Sequence, residues 1–183
     1  MTASALANAS IDRPGVDSLI FVDSNVLLYA VDEANPEKQR VARTWRAELW
    51  KSRRGRVSFQ VLGEFYVNAV RKQPAALEEA RAEVRDLLTW NPVATDSELL
   101  ERGWKLQDRY RLSYWDALIV AAAKAASCRY LLTEDLQAGQ QLGATPMIQN
   151  VNGTAVTLAS NSTVARPAPL LVIIRPRSLP IGA

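Results

Sequence analysis

Two short apolar runs in this chain end on acid. Leu19-Ile20-Phe21-Val22 stops at Asp23, and Tyr130-Leu131-Leu132 stops at Thr133-Glu134-Asp135. Both runs are continuous rather than alternating, which is the pattern of strands buried on both faces of a parallel sheet. Parallel strands cannot be joined by tight hairpins, so the chain between the runs has to cross over the sheet, usually as helix. In open α/β sheets ligands bind beyond the carboxyl ends of the strands. The two runs therefore predict a fold class and also deliver acid to the edge where such a fold does its chemistry.

The intervening sequence supplies the helices. A turn or two is predicted over 26–30. Asn35-Pro36 is a helix start, with Asn as N-cap and Pro at the first helical position. Val41, Trp45 and Leu49 then recur at helical spacing, and Gly55 is read as the stop. Residues 56–59 read as a short strand and 60–72 as a helix ending before Pro74. A single helix is predicted over 75–90, closed by Asn91-Pro92, and a short strand at 93–94. Thr95-Asp96-Ser97-Glu98 reads as a capping box opening a helix to about 109, and Ser113 to Asp116 opens another to about 126. A last strand is expected at 146–148. The alternation predicts an α/β protein: a small parallel sheet of four to five strands flanked by α-helices, occupying residues 18–150. Residues 1–17, small and polar with a Pro-Gly pair, are expected to be a flexible leader. Residues 151–183, rich in Asn, Ser, Thr, Pro and Ala, are expected to be an appendage.

Composition narrows the chemistry. At 183 residues the chain suits one domain. It contains no histidine and one cysteine, Cys128. That excludes a Ser-His-Asp triad, a Cys-His pair, an internal disulfide and a zinc site built on His or Cys. Cys128 and the five tryptophans are expected to serve the core, with Trp115, beside Asp116, the one of functional interest. No apolar run is long enough for a membrane span, and no secretory signal is evident, so the expected location is the cytoplasm. The net charge of +3 owes itself to Arg166, Arg175 and Arg177, which follow the last acidic residue, Asp135. The rest is balanced, so net charge alone points to no partner.

Four carboxylates stand out. Asp23 and Asp135 sit at strand ends, although Asp is also a preferred N-cap. Asp116 lies in a Ser113-x-x-Asp116 capping pattern, which is by itself a structural device. Glu64, with Gln60 and Asn68 one turn to either side, lies on a polar stripe that also fits a solvated helix face. If the four converge, their repulsion in a low dielectric calls for a cation. Oxygen donors without imidazole or thiolate select Mg2+ or Mn2+. Such an ion clamps phosphate oxygens and acidifies a bound water, which fits hydrolysis of a phosphodiester.

The segments FVDSNVLLYA, SFQVLGEFY, LSYWDALIVAAA and YLLTEDLQ, in that order over roughly residues 19–150, resemble the successive motifs of PIN-domain ribonucleases, most closely the VapC-type toxins of bacterial toxin–antitoxin pairs. The resemblance implies a PIN-like fold and an acidic quartet of Asp23, Glu64, Asp116 and Asp135 that binds Mg2+ or Mn2+. Glu134 would be a neighbour of Asp135 or its substitute. Asn25 and Thr133 would help orient the site, and Ser113 could cap the helix while Asp116 points inward. It further implies cleavage of RNA, a homodimer, and a cognate antitoxin protein that holds the toxin inactive. The chain departs from the pattern by a longer start and about thirty extra residues at its end.

Two alternatives belong to other classes. An aspartate-nucleophile phosphatase of the haloacid-dehalogenase type would also place an Asp after the first strand, but needs a proton donor two residues on, where this chain has Asn25. A non-catalytic module would keep the fold and bind RNA or antitoxin. For either RNA reading, Arg40, Arg43, Arg53 and Arg54 are candidates to track the phosphate backbone, against an ordinary solvated surface. An antitoxin is expected to lay an amphipathic helix on the apolar surface between the early helices.

Overall fold

A computed structural model describes residues 18–136 and, for the backbone, 147–150. The expected flexible leader at 1–17 and appendage at 151–183 lie outside the described residues. Four parallel strands form one sheet in the order β2-β1-β3-β4: β1 (Ile20–Val22), β2 (Gly55–Arg56), β3 (Tyr130–Thr133) and β4 (Met147–Asn150). Every residue of β1 and β3 is buried, as their unbroken apolar sequences require. The expected strand at 93–94 contracts to one parallel bridge between Ser58 and Val93.

Chain direction decides where the site falls. From the central β1 the chain crosses to β2 on one side, and its later part returns to β3 on the other. The crevice beyond the carboxyl ends of β1 and β3 is thus a topological switch point. The β1–β3 register places Val22 opposite Leu132, and the Asp23 N–H donates to the Leu132 carbonyl at 3.0 Å. Asp23 and Thr133 are therefore held side by side by backbone pairing alone.

Among the described residues six α-helices surround this sheet: α1 (Ser24–Val31), α2 (Pro36–Ser52), α3 (Phe59–Lys72), α4 (Leu77–Leu87), α5 (Ser97–Tyr110) and α6 (Tyr114–Ala125). In α6 the seven consecutive residues 117–123 are all buried. Four of these are alanines, small enough for other elements to close on every face. Gly103 in α5 permits a close approach to α6, since a Cβ there would lie 2.7 Å from Leu118 Cδ2.

Several local expectations change. The predicted helix over 75–90 is α4 bracketed by 3-10 turns at Pro74–Ala76 and Leu88–Trp90. Asn91, with φ 52°, then turns the chain into Pro92. Gly55 is not the stop of α2. Arg53 takes the left-handed cap position at φ 55°, its N–H donating to the Leu49 and Trp50 carbonyls. Gly55 answers a packing demand instead, because a Cβ would fall 2.4 Å from the Trp90 ring. Asn35 precedes α2 but makes no side-chain cap bond; its amide donates to Asp32. For α5 the cap is Asp96, which accepts from the Leu99 N–H, and not Thr95. Cys128 is buried as expected. Of the tryptophans only Trp45 and Trp90 are core residues, whereas Trp50, Trp104 and Trp115 are exposed.

Candidate active site at the carboxyl edge of the sheet

Asp23 is the N-cap of α1 and is 6% exposed. The N-cap reading is borne out, and it leaves the second carboxylate oxygen facing other partners. Its Oδ1 accepts the Ser24 N–H at 2.6 Å. Its Oδ2 accepts the Thr133 hydroxyl at 2.7 Å and the Asn25 Nδ2 at 3.1 Å. Each of these neighbours acts as a donor, and none is a cation. Burial pushes the carboxyl up to about 6 despite the bonds from Thr133 and Ser24, and the charges of Asp135 and Glu64 push it the same way.

Asn25 joins the two strand ends. Its Nδ2 donates within 3.1–3.2 Å of Asp23 Oδ2, Thr133 Oγ1 and Asp135 Oδ2. Thr133 Oγ1 in turn accepts the Asp135 N–H at 3.2 Å. One amide from the first turn of α1 thus positions the carboxylate that follows β3. The Asn25 Oδ1 is buried and accepts no hydrogen bond among the described residues.

Ser24, which sequence reasoning did not single out, ties in the third carboxylate. Its hydroxyl donates to Glu64 Oε2 at 2.7 Å and lies 3.3 Å from Asp23 Oδ1. Gln60, one turn earlier on α3, donates to Glu64 Oε1 at 2.9 Å. The polar stripe on α3 therefore faces the site rather than bulk solvent. The only hint of Ser24 in the sequence is a second hydroxyl-bearing residue directly after Asp23.

Asp116 occupies the first turn of α6. Ser113 caps that helix by accepting the Asp116 N–H at 3.2 Å, and its own hydroxyl donates to Asp116 Oδ2 at 2.7 Å. Cap and site position coexist. Partial burial raises the Asp116 pKa against the Ser113 bond, and Asp135 and Glu64 raise it further. Asp135 and Glu64 thus act on both Asp23 and Asp116.

Glu134 does not join them. Tyr29 and Lys38 both donate to its carboxylate, and the Lys38 ammonium also donates to the Tyr29 hydroxyl at 2.9 Å. The same ammonium lies 4.3 Å from the Tyr29 ring centroid. Glu134 differs from Asp23 in this engagement: its charge is met by a cation reaching in from α2. The basic candidates also divide. Arg54 is only 7% exposed, and its backbone is tied into the start of β1, where its carbonyl accepts the Ile20 N–H. It is therefore not available to an RNA backbone. Arg53 is exposed but caps α2 beside it, at the sheet edge opposite Asp23. Arg40 and Arg43 are exposed on α2, with Arg43 Nε donating to the Ala30 carbonyl.

The donor set is carboxylate, amide and hydroxyl oxygen, the chemistry of a hard divalent cation. The unpartnered Asn25 carbonyl-type oxygen and the uncompensated charge on Asp23 fit that class. Among the described residues, no three acidic side chains are placed closely enough to enclose an ion by themselves. Ser24, Asn25 and Thr133 link them instead.

A family model for the PIN domain matches residues 20–140, well over half of the chain. The chain belongs to the PIN domain family. The match embraces Asp23, Glu64, Asp116 and Asp135 together. Among solved structures, the PIN domain is similar to a chain from a toxin–antitoxin complex of Klebsiella pneumoniae, with 22% identity and a TM-score of 0.52, covering 73% of this chain and 98% of that one. A weaker similarity, with 20% identity and a TM-score of 0.45 over 61% of this chain and 86% of the other, is to Mycobacterium tuberculosis VapC20, a toxin that cleaves the sarcin-ricin loop. No curated protein matches this PIN domain.

Proposed function

We propose that this PIN domain is a metal-dependent endoribonuclease of the VapC type, the toxin of a toxin–antitoxin pair. One observation carries the reading: two parallel neighbouring strands deliver Asp23 and Asp135 to one edge, where Asn25 bonds both and where Asp135 and Glu64 push Asp23 and Asp116 toward the protonated form. Asp23, Asp116, Asp135 and Glu64 would have to draw closer than they now stand to hold Mg2+ or Mn2+, and such an ion would supply Lewis acidity toward a phosphodiester and an acidified water. The protein's own part is positional. Asn25 and Thr133 fix Asp23 against Asp135, Ser24 and Gln60 fix Glu64, and Ser113 fixes Asp116.

The phosphatase alternative loses its proton donor in chemical terms. Asn25 spends its amide hydrogens on Asp23, Thr133 and Asp135 and has no acidic proton to give. An antitoxin partner is supported by the similar Klebsiella chain, which comes from a toxin–antitoxin complex. It is also supported by an open cavity of about 550 Å³ between α1, α3 and α4, whose lining mixes apolar residues such as Leu28 and Phe65 with charged ones such as Lys72 and Glu79. A homodimer and a cytoplasmic location belong to the same proposal; among the described residues no helix is long and apolar enough to cross a membrane.

Pure protein free of antitoxin should cleave RNA when Mg2+ or Mn2+ is supplied, and Asp23→Ala or Asp116→Ala should abolish cleavage while circular dichroism stays native. Cleavage at full rate by the Asp23→Ala protein would sink the proposal. Stable RNA binding without any metal-stimulated cleavage would favour the non-catalytic module.

A further inference from the structure

Trp115 is the most exposed large apolar side chain among the described residues, at 61%. An exposed indole adjoining a candidate site residue in the chain offers an aromatic face available for contact. Its place next to Asp116 distinguishes it from the other exposed tryptophans, and two further features accompany that place. It immediately precedes Asp116 in the first turn of α6, the turn that Ser113 fixes by bonding Asp116 through both its hydroxyl roles. Its ring is braced edge-on by Tyr114, with centroids 5.0 Å apart at 70°. The chain entering that turn is basic: Arg109 lies over the Tyr110 ring, and Arg111, exposed, takes the left-handed cap of α5 at φ 56°.

A braced, exposed aromatic face can hold single-stranded nucleic acid by stacking with its bases. A base inside a duplex has both faces covered by its neighbours and cannot offer one to an indole. The basic stretch at Arg53 and Arg54 is at the opposite edge of the sheet, so this turn, contiguous with Asp116, is the better-placed aromatic and basic surface for a strand entering the site.

We infer that Trp115 is a nucleobase platform of the candidate site, stacking an unpaired base of the RNA strand beside the scissile phosphate. This rests on the ribonuclease reading. It makes Trp115 a substrate-positioning residue whose loss weakens RNA binding while leaving the carboxylates in place.

The test uses the full chain, a randomised pool of short unpaired oligoribonucleotides carrying 2-aminopurine, and the same pool annealed to its complement. Wild type should bind the unpaired pool more tightly, with quenching of the 2-aminopurine. Trp115→Ala should weaken that binding about tenfold, the order of one base–aromatic stack, and abolish the quenching. Trp115→Phe should restore most of both. In cleavage assays Trp115→Ala should raise KM by a similar factor, with kcat within about twofold. Unchanged affinity, quenching and KM in Trp115→Ala, alongside normal wild-type cleavage, would overturn the platform alone. Absence of metal-stimulated cleavage by wild type would overturn the ribonuclease reading on which it rests.

Discussion

The two edges of one small sheet are built from opposite charges. At the amino edge, Arg53 and Arg54 lead into β2 and Arg129 leads into β3; at the carboxyl edge stand Asp23, Thr133 and Asp135. Their energetics differ more than their charges do. The amino edge is occupied with folding: Arg53 caps α2, the Arg54 carbonyl pairs with the Ile20 N–H, and the Arg129 N–H donates to the Leu19 carbonyl. At the carboxyl edge Asp135 and Glu64 push the carboxyls of Asp23 and Asp116 up, and Asp23 is buried almost completely. A charge pattern that resists its own burial is a mark of a site, whereas a charge cluster merely adjacent in sequence is not.

The largest effect that would break this comparison is catalytic. Asp23→Ala should reduce RNA cleavage by at least about a thousandfold, in line with losing a ligand for the metal that activates water. Arg53→Ala should leave cleavage within about twofold. Equal losses in both, measured on the same RNA, would erase the distinction between the edges.

The next effect is on pH dependence. Asp23 titrates near 6 in the folded protein, above the ordinary carboxylate value of 3.8. A raised folded pKa favours the protonated form, so its contribution is greatest below about pH 4 and is lost as pH rises through about 6. The integrated loss is on the order of 3 kcal/mol. Metal-free wild type should therefore lose stability across that window in urea titrations, and Asp23→Ala should lose less. Added Mg2+ or Mn2+ should raise the Tm at pH 7.5 and have little effect at pH 5, where protonated Asp23 no longer attracts a cation. A metal-induced Tm shift independent of pH would contradict the role given to Asp23.

Smaller effects sharpen the other edge. Gly55→Ala would drive a methyl into the Trp90 ring, which cannot fold away as a flexible chain can, and should cost about 1–3 kcal/mol by denaturant melts. Arg53→Gly should do the reverse. It relieves a left-handed residue at a helix cap and should raise stability by up to about 1 kcal/mol without altering cleavage. A loss of stability there would mean that the Arg53 side chain contributes more than its backbone position costs.

Much of the site was legible because its signals are local. An apolar run cut off by acid is readable at Asp23 and Asp135 whatever surrounds it, and the Ser113–Asp116 cap is a spacing of three. Glu64 was legible as part of a polar stripe, but not as the acceptor of the Ser24 hydroxyl, which comes from forty residues away in the chain. Glu134 was ambiguous for the same reason: only the packing of α2 beside α1 brings Lys38 to its carboxylate. Arg54, read as part of a basic cluster, is withdrawn from the surface by the pairing of its backbone with β1.

The sequence by itself determined the α/β class, the strands that end in acid, and the absence of imidazole and paired thiols that leaves hard-cation oxygen chemistry. Tertiary structure alone decided which neighbouring polar groups serve that acid. It set Asn25 across two strand ends, Ser24 between Asp23 and Glu64, and Glu134 aside with Lys38. The reason is physical: strand and cap propensities act over a few residues, whereas pairing of buried charges depends on which parts of the chain the sheet register and helix packing bring within three ångströms.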